Sequence, residues 1–262
     1  MKDLAEPAYP AATPPLVDAH THIREGEEAA FLAMHHTQPV FSLVHAGDST
    51  EWHRLQPVIS NHSHAGRLTL SYGVHPWQAT RSLTSEDWRL LVATGVTGEI
   101  GLDTLWCHVP LPVQRQIFVE QLQLAMQLGK PVILHTKDCE EEIASILASY
   151  LPNPKSAVMI HWFSGSITAL DEFINLGCYF TLAPDIATNT AQQQVALRVS
   201  AGRLLTESDG TAAVTWATGK ECTPGNIPAV LEGILHTAAT IRDETAETLR
   251  RQVYQNYLRY IQ

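Results

Sequence analysis

The chain has 262 residues, of which 45% are hydrophobic and 17% are charged, and its formal net charge is −10 at pH 7. This length and apolar content allow one domain with a large core. The acidic balance argues against a broad nucleic-acid-binding surface, which needs clustered lysine and arginine, but it leaves a narrow, metal-assisted phosphate site open.

The N-terminal segment and the cysteines indicate a cytosolic protein. Residues 1–15, MKDLAEPAYPAATPP, are rich in proline and alanine and have no apolar core typical of a secretory signal, so we predict an N-terminal tail. No apolar run is long enough to cross a membrane, and we expect no membrane partner. The four cysteines form no CxxC pair, which predicts reduced, structural thiols and not a zinc–thiolate cluster.

Short strand-like runs recur along the chain at intervals of about one β-strand plus one α-helix. Their apolar character is continuous and does not alternate, as expected for strands covered on both faces in a parallel sheet. The eight runs are LVDAHTHI from residue 16, VFSLVHAG from 40, LTLSYGVHP from 68, GVTGEIGLD from 95, KPVILHT from 130, SAVMIHWF from 156, CYFTLAP from 178 and RLLTESDG from 203.

Several intervals between these runs have helical patterns. The clearest, residues 112–131, has Pro112 in its first turn and ends at Gly129. Residues 243–261 show a second apolar stripe, with Glu247 and Arg251 paired on the exposed side. Eight strands alternating with helices favour a single closed (β/α)₈ barrel over residues 16–262, with an open doubly wound sheet as the alternative.

Histidines and carboxylates cluster at the ends of these strands. In LVDAHTHI, the side chains of Asp18, His20 and His22 alternate with apolar ones and therefore face the same side. In barrel enzymes the carboxyl ends of the strands meet at one rim, where the chemistry takes place. The strand-end pattern selects His20, His22, His75, Glu99, His135, His161, Glu207 and Asp209.

Other histidines do not share this context. His62 and His64 have the same spacing as His20 and His22, but they lie in the polar stretch NHSHAG, which predicts a surface loop. Asp18 is open to two interpretations, as a carboxylate that supports metal ligands or as a structural one. We expect six further histidines to be structural or exposed: His35, His36, His45, His53, His108 and His236.

Six colinear segments together resemble the TatD-type metal-dependent hydrolases, an amidohydrolase-like barrel family that includes deoxyribonucleases, over residues 16–262. These segments are DAHTHI, YGVHPW, TGEIGLD, QRQIFVEQLQLAMQLGKPVILHTKD, IHWFSGS and LLTESD. Asn256 also lies where this family has an asparagine in its last helix.

The resemblance implies a site with two divalent metal ions. His20, His22 and Asp209 would bind the first ion, His135 and His161 the second, and Glu99 would bridge them. Imidazole and carboxylate ligands suit Zn²⁺, Mn²⁺ or Mg²⁺.

Hydrolysis by a metal-activated water is the reaction that such a site performs. Asp209 would accept the proton of the attacking water. Glu207 would contact the metal ligands without binding metal itself. His75 would line the site and orient the substrate, or it would bond only to backbone. Lys137, where the family usually has arginine, would contact a phosphate without the bidentate fork.

The sequence departs from the family pattern at the last strand, where Gly210 replaces the usual proline and predicts a more mobile loop after Asp209. The main prediction is a phosphodiesterase that cleaves DNA or short single-stranded nucleic acid from an end. The acidic charge and Lys137 keep a second hypothesis open, an amidohydrolase-type hydrolase of a small ester, lactone or amide. A non-enzymatic binding role is the third hypothesis, and no obligate protein partner is predicted.

Overall fold

The computed structural model describes residues 13–61, 66–80, 82–150 and 156–262. His62, His64 and most of the predicted N-terminal tail lie outside these ranges.

All eight predicted strands form, each within the run that predicted it except β5, which extends one residue further, to Lys137. They are β1 Leu16–Thr21, β2 Val40–Ala46, β3 Leu68–Tyr72, β4 Thr97–Asp103, β5 Val132–Lys137, β6 Val158–Ile160, β7 Tyr179–Leu182 and β8 Leu204–Thr206. Every residue of β1, β2, β4 and β5 is buried, which agrees with a sheet that is covered on both faces.

Each strand pairs in parallel with the next one along the chain, in the order β1 to β8. The last strand returns to the first: Thr206 Oγ1 donates to the carbonyl of Val17 at 2.6 Å, and the N–H of Asp209 donates to the carbonyl of His20 at 3.1 Å. The eight strands therefore form a nearly closed (β/α)₈ barrel, as predicted, and the alternative of an open sheet is wrong.

The described ranges contain ten α-helices, and one or more of them follow each strand. A short 3₁₀ turn, Pro76–Gln78, lies between β3 and α3. They are α1 Glu28–Thr37, α2 Ser49–Ser60, α3 Ser85–Ala93, α4 Leu111–Leu128, α5 Glu140–Ala148, α6 Ile167–Asn175, α7 Thr190–Arg198, α8 Gly210–Thr218, α9 Ile227–Arg242 and α10 Ala246–Tyr260. Within the described residues, every helix is too short or too polar to span a bilayer.

The two helices predicted most clearly form as expected. Helix α4 has a proline in its first turn and ends at Gly129, which adopts the left-handed conformation with φ 67°. Helix α10 buries Leu249 and Val253, and Arg251 lies 3.3 Å from Glu247 on its exposed side.

Asn256 attaches α10 to the barrel. Its Nδ2 donates to the carbonyls of Ala201 and Leu204, each at 2.7 Å, at the point where β8 begins. The side chain is fully buried, and these two carbonyls satisfy its amide N–H groups. The asparagine thus helps to fix the start of the strand that leads to Asp209.

A close approach of β4 to β5 requires glycine at position 101. Its φ is 154°, and a Cβ at this position would lie 1.9 Å from the carbonyl oxygen of His135. No side chain fits there, so any substitution would push the two strands apart. His135 pairs with Gly101 in the register of the two strands, and its Nδ1 lies 2.5 Å from Oε1 of Glu99 on β4. All four cysteine thiols are unpaired, as predicted.

Candidate metal centre

The predicted site residues meet at the carboxyl ends of the strands. His20 lies in β1 and His22 just after it, Glu99 in β4, His135 in β5, and His161 directly follows β6. Asp209 immediately precedes α8 in the left-handed conformation with φ 57°, a region that aspartate tolerates better than most residues. No loop separates Asp209 from this helix, because α8 begins at Gly210, so the expected mobile loop is absent there.

Glu99 lies at the centre of the cluster, and each of its carboxylate oxygens faces a different group of histidines. Oε1 lies 2.5 Å from His135 Nδ1 and 2.7 Å from His161 Nε2. Oε2 lies 3.2 Å from His20 Nε2 and 3.7 Å from His22 Nε2. Burial raises the pKa of Glu99, but the surrounding histidine charges, that of His161 first, outweigh it and hold the pKa well below its ordinary value.

Asp209 completes the side of the cluster that His20 and His22 form. Its Oδ1 lies 3.3 Å from His20 Nε2 and 3.4 Å from His22 Nε2. Burial raises the pKa of Asp209, but its interactions with these two rings outweigh burial and hold the pKa well below its ordinary value, so the carboxylate is ionised at neutral pH.

His75 lies on the other side of Glu99. Its Nε2 is 3.4 Å from Glu99 Oε1 and 3.4 Å from His135 Nδ1, and its Nδ1 accepts the backbone N–H of Trp77 at 3.1 Å. Burial lowers the pKa of His75 to about 4, so the ring is neutral at neutral pH. The structure therefore combines both interpretations of His75, a contact with the cluster and a bond to backbone.

Several buried polar atoms of the cluster have no hydrogen-bond partner among the described residues. Both ring nitrogens of His20 are in this state, although Glu99 and Asp209 approach Nε2, and so is Nδ1 of His161. A buried polar atom without a partner costs about 1–3 kcal/mol. A cation between His20, Glu99 and Asp209 would remove that cost for His20 Nε2, because the cation would bind the lone pair of this nitrogen.

Among the residues that the structure describes, three sets of side chains could hold a metal ion, with the donor atoms of each set within 4.8 Å of one another. All donors are imidazole nitrogens or carboxylate oxygens, which suits divalent cations such as Zn²⁺ and Mn²⁺. The residues therefore fit a metal centre. The sets are His20, His161 and Asp209; His20, His22 and Glu99; and His75, Glu99 and His135.

Glu207 and Asp18 contact residues of the cluster or their neighbours in the chain. Glu207 Oε1 accepts the N–H of Trp162 at 2.8 Å, while Oε2 lies 3.5 Å from Nδ1 of His161. Asp18 accepts two hydrogen bonds from Ser208, one from the N–H and one from the hydroxyl, each at 2.7 Å. Asp18 therefore holds the residue before Asp209, and burial raises its pKa to about 7.

Lys137 lies at the rim but is only 4% exposed. Its ammonium donates to the carbonyl of Trp162 at 2.6 Å and to Ser164 Oγ at 3.3 Å. Burial lowers its pKa, although the nearby carboxylates act in the opposite direction. The charge is thus held in one place beside the cluster.

Two polar residues of the site were not selected from the sequence. His45 lines the cavity, and its Nδ1 accepts the N–H of Glu99 at 2.7 Å. Burial lowers the pKa of His45 well below its ordinary value, so its ring is neutral. Asp103 Oδ2 lies 3.0 Å from His135 Nε2 and accepts the ring N–H of Trp77 at 2.6 Å.

The other histidines of the described ranges are structural or exposed, as expected. His35 is buried against Ser42 Oγ at 3.0 Å, and His53 pairs with Glu86 at 2.8 Å on the surface. Three more are exposed, namely His36, His108 and His236.

The cluster opens into a cavity of about 720 Å³ at the rim of the barrel. Its walls combine the polar cluster with four tryptophans, Trp77, Trp106, Trp162 and Trp216. This mixture of apolar walls and converging polar groups is typical of a small-molecule or substrate site.

One family model, "TatD related DNase", matches residues 17–262. The "3'-5' ssDNA/RNA exonuclease TatD" of a Pantoea species is 31% identical over 208 residues, which are 74% of this chain and 77% of that protein. The "uncharacterized metal-dependent hydrolase YcfH" of Escherichia coli K12 is 29% identical over 198 residues, 73% of each chain. The human "3'-5' RNA nuclease TATDN2" is 28% identical over 149 residues, but the match spans only 19% of that protein and 53% of this one.

A solved structure has the same fold. The crystal structure of YJJV, a TatD homologue from Escherichia coli K12, superposes with a TM-score of 0.78 at 22% sequence identity. The match covers 94% of this chain and 97% of that chain.

Proposed function

Because this chain belongs to the TatD-related DNase family of metal-dependent hydrolases, we propose that it hydrolyses phosphodiester bonds at an end of single-stranded nucleic acid. This membership confirms the resemblance that the sequence motifs indicated. The substrate is supported by the names of relatives, one an exonuclease of single-stranded DNA and RNA and another an RNA nuclease.

The position of Glu99 is the observation that carries this proposal. One carboxylate oxygen faces His135 and His161, and the other faces His20 and His22. A carboxylate in this position would bridge two cations, the first held by His20, His22 and Asp209 and the second by His135 and His161. Zn²⁺, Mn²⁺ and Mg²⁺ are the ions proposed, and the four imidazoles favour the first two.

Divalent cations, when bound there, would supply Lewis acidity toward the phosphate and lower the pKa of a water to near neutrality. The protein's own groups do the rest. Asp209, which stays ionised, accepts the proton of the attacking water, and Lys137 contacts a phosphate oxygen of the substrate. Glu207 keeps the ring of His161 oriented, and neutral His75 orients the substrate from the opposite wall.

The tryptophan-lined cavity favours a second candidate, hydrolysis of a small ester, lactone or amide by the same cluster. An apolar substrate of this kind would pack against the tryptophan walls and would need no phosphate contact. A cytosolic location stays a prediction from the sequence alone.

The test is to strip the purified protein with a chelator and reload it with Zn²⁺, Mn²⁺ or Mg²⁺. Elemental analysis should give two ions per chain, and the loaded protein should shorten single-stranded DNA or RNA. If no ion yields cleavage of either nucleic acid, the proposal fails. Turnover of an aryl ester or lactone well above that of any phosphodiester would favour the second candidate.

Asp209→Asn separates catalysis from folding. Removing the proton acceptor and one ligand should lower kcat by about 10²- to 10⁴-fold. The matched control is Asp171→Asn, which changes an exposed carboxylate paired with Arg198 on the outer surface. That control should retain full activity, and an equal loss in both variants would argue against the role of Asp209.

A further inference from the structure

The four tryptophans of the cavity fall into two pairs with different constraints. The ring N–H of Trp77 donates to Asp103 Oδ2 at 2.6 Å, and that of Trp162 donates to Asp185 Oδ2 at 3.2 Å. The ring N–H groups of Trp106 and Trp216 have no partner among the described residues. The first pair is therefore part of the wall, and the second pair is free to contact a ligand.

Trp106 and Trp216 form a corner at the mouth of the cavity. Their ring centroids lie 6.0 Å apart, with the two planes at 81°. Trp106 is 48% exposed and Trp216 is 69% exposed, which is unusual for the largest apolar side chain. A planar ligand can stack on one ring of such a corner while its edge contacts the other.

The local structure fixes the backbone at both tryptophans. Helix α8 presents Ala212, Ala213 and Trp216 to the cavity, and this helical spacing puts a flat, small-residue surface beside the indole. Trp106 lies in the loop after β4, where Asp103 Oδ1 accepts its backbone N–H at 2.8 Å. The backbone that carries each ring is thus positioned before any ligand arrives.

The charge of the cavity excludes binding through many phosphate contacts. Lys137 is the only lysine or arginine among the described residues that line it, whereas Glu51, Asp185 and Asp209 add negative charge. A single-stranded nucleic acid that binds here needs a source of affinity other than counterion release. Stacking of bases on aromatic side chains is the usual source of affinity in such sites, and any base can stack.

We propose that the corner formed by Trp106 and Trp216 stacks one unpaired nucleobase next to the scissile phosphate and so selects single-stranded ends. This inference rests on the proposed nuclease function and assigns the part of the substrate that the protein recognises. Lys137 Nζ lies over one face of the Trp106 ring, 6.0 Å from its centroid, so this ammonium is beside the corner and within reach of the phosphate of a nucleotide whose base stacks on Trp216. Inside a duplex both faces of a base are covered by its neighbours. A terminal paired base exposes one face but cannot enter the corner without its pairing partner, so the corner favours an unpaired base.

The first experiment uses the unaltered protein and two short oligonucleotides of equal charge. One is complete, and the other lacks the base of one terminal nucleoside. The abasic nucleoside is placed at the 5′ end in one version and at the 3′ end in a second version. Binding is measured in chelator through quenching of tryptophan fluorescence, and cleavage is measured with Mn²⁺. Loss of one stacked base should weaken binding by about 5- to 160-fold.

The second experiment removes the platform. Trp216→Ala should raise KM for the complete oligonucleotide by about 5- to 160-fold with little change in kcat, because the ring binds the ground state and the transition state alike. The variant should no longer distinguish the complete from the abasic oligonucleotide. Trp216→Phe, which retains an aromatic face, should restore most of that difference.

The matched control is Trp88→Ala on helix α3. Trp88 is also partly exposed, at 36%, but it does not line the cavity. This variant should leave both KM and the discrimination between the two oligonucleotides unchanged.

The outcomes separate this inference from the nuclease function. Cleavage of both oligonucleotides with equal KM by the unaltered protein would overturn the stacking platform and leave the nuclease function intact. Tighter binding of the complete oligonucleotide without cleavage under any ion would support the platform and contradict the nuclease function.

Discussion

Asp103 Oδ2 lies 3.0 Å from Nε2 of His135, on the side of the imidazole that faces away from Glu99. With Nε2–H donating to this carboxylate, the lone pair of Nδ1 points toward Glu99 and is available to a metal ion. Burial raises the pKa of Asp103, but hydrogen bonds, that of His135 first, hold it well below its ordinary value, so the acceptor stays ionised.

Asp103→Asn should therefore weaken metal binding without unfolding the protein. The amide cannot fix the tautomer of His135 as a carboxylate does, and loss of such a partner typically costs about 10- to 100-fold in metal affinity. Competition with a chelating dye measures the affinity, and thermal unfolding checks the fold. Asp171→Asn is again the control, and equal affinities of Asp103→Asn and the unaltered protein would contradict the role of Asp103.

The strand-end pattern predicted much of the site because a parallel barrel brings the carboxyl ends of all strands to one rim. His20, Glu99 and His161 come together for this reason, although far apart in the sequence. The same pattern also fits His45, which lies near the end of β2 as His135 lies near the end of β5. His45 could therefore have been predicted from the sequence.

The aromatic corner could not be predicted in this way. Trp106 lies in a loop whose path depends on hydrogen bonds from its backbone to Asp103, and Trp216 lies on a helix after the last strand. Their approach joins segments more than a hundred residues apart through side-chain packing, for which no local periodicity exists. The burial of Lys137 against the carbonyl of Trp162 is a tertiary contact of the same kind.

Metal binding should release protons at neutral pH. Burial alone lowers the pKa of His161, but the charges of Glu99 and Glu207 raise it to about 10, so without metal the ring is protonated. A ligating imidazole must be neutral, so binding expels this proton. The apparent affinity should therefore rise with pH, by about tenfold per unit for each proton released.

Calorimetric titration with Zn²⁺ in buffers of different ionisation heat measures this release. Glu207→Gln removes one of the two charges that raise the pKa of His161, so fewer protons should be released by this variant. Binding heats that do not depend on the buffer would show that the ring is already neutral.

Lys130 should contribute to stability and not to activity. Its ammonium donates to the carbonyls of Leu91, Val92 and Thr94 at 2.6, 2.7 and 2.6 Å, at the carboxyl end of α3. Hydrogen bonds to charged groups contribute about 1.5–3 kcal/mol, and the cation also offsets the helix dipole.

Lys130→Met should accordingly lower the free energy of unfolding by about 1.5–3 kcal/mol, measured by denaturant titration. Cleavage of nucleic acid should be unchanged, because Lys130 does not line the cavity. Lys220→Met, an exposed position at the end of α8, is the control and should unfold like the original protein. A similar loss in both variants would indicate a general effect of removing positive charge.

Binding of single-stranded DNA should depend only weakly on salt, since Lys137 is the only lysine or arginine among the described residues that line the cavity. Each phosphate contact to a single strand changes the logarithm of the affinity by about 0.7 per logarithmic unit of salt. The slope, measured by fluorescence titration in chelator over a range of potassium chloride, should correspond to about one contact. Lys137→Met should remove most of it, whereas Lys220→Met should not. A steep slope that survives Lys137→Met would place the binding surface outside this cavity, and the stacking corner would then lose its main argument from charge.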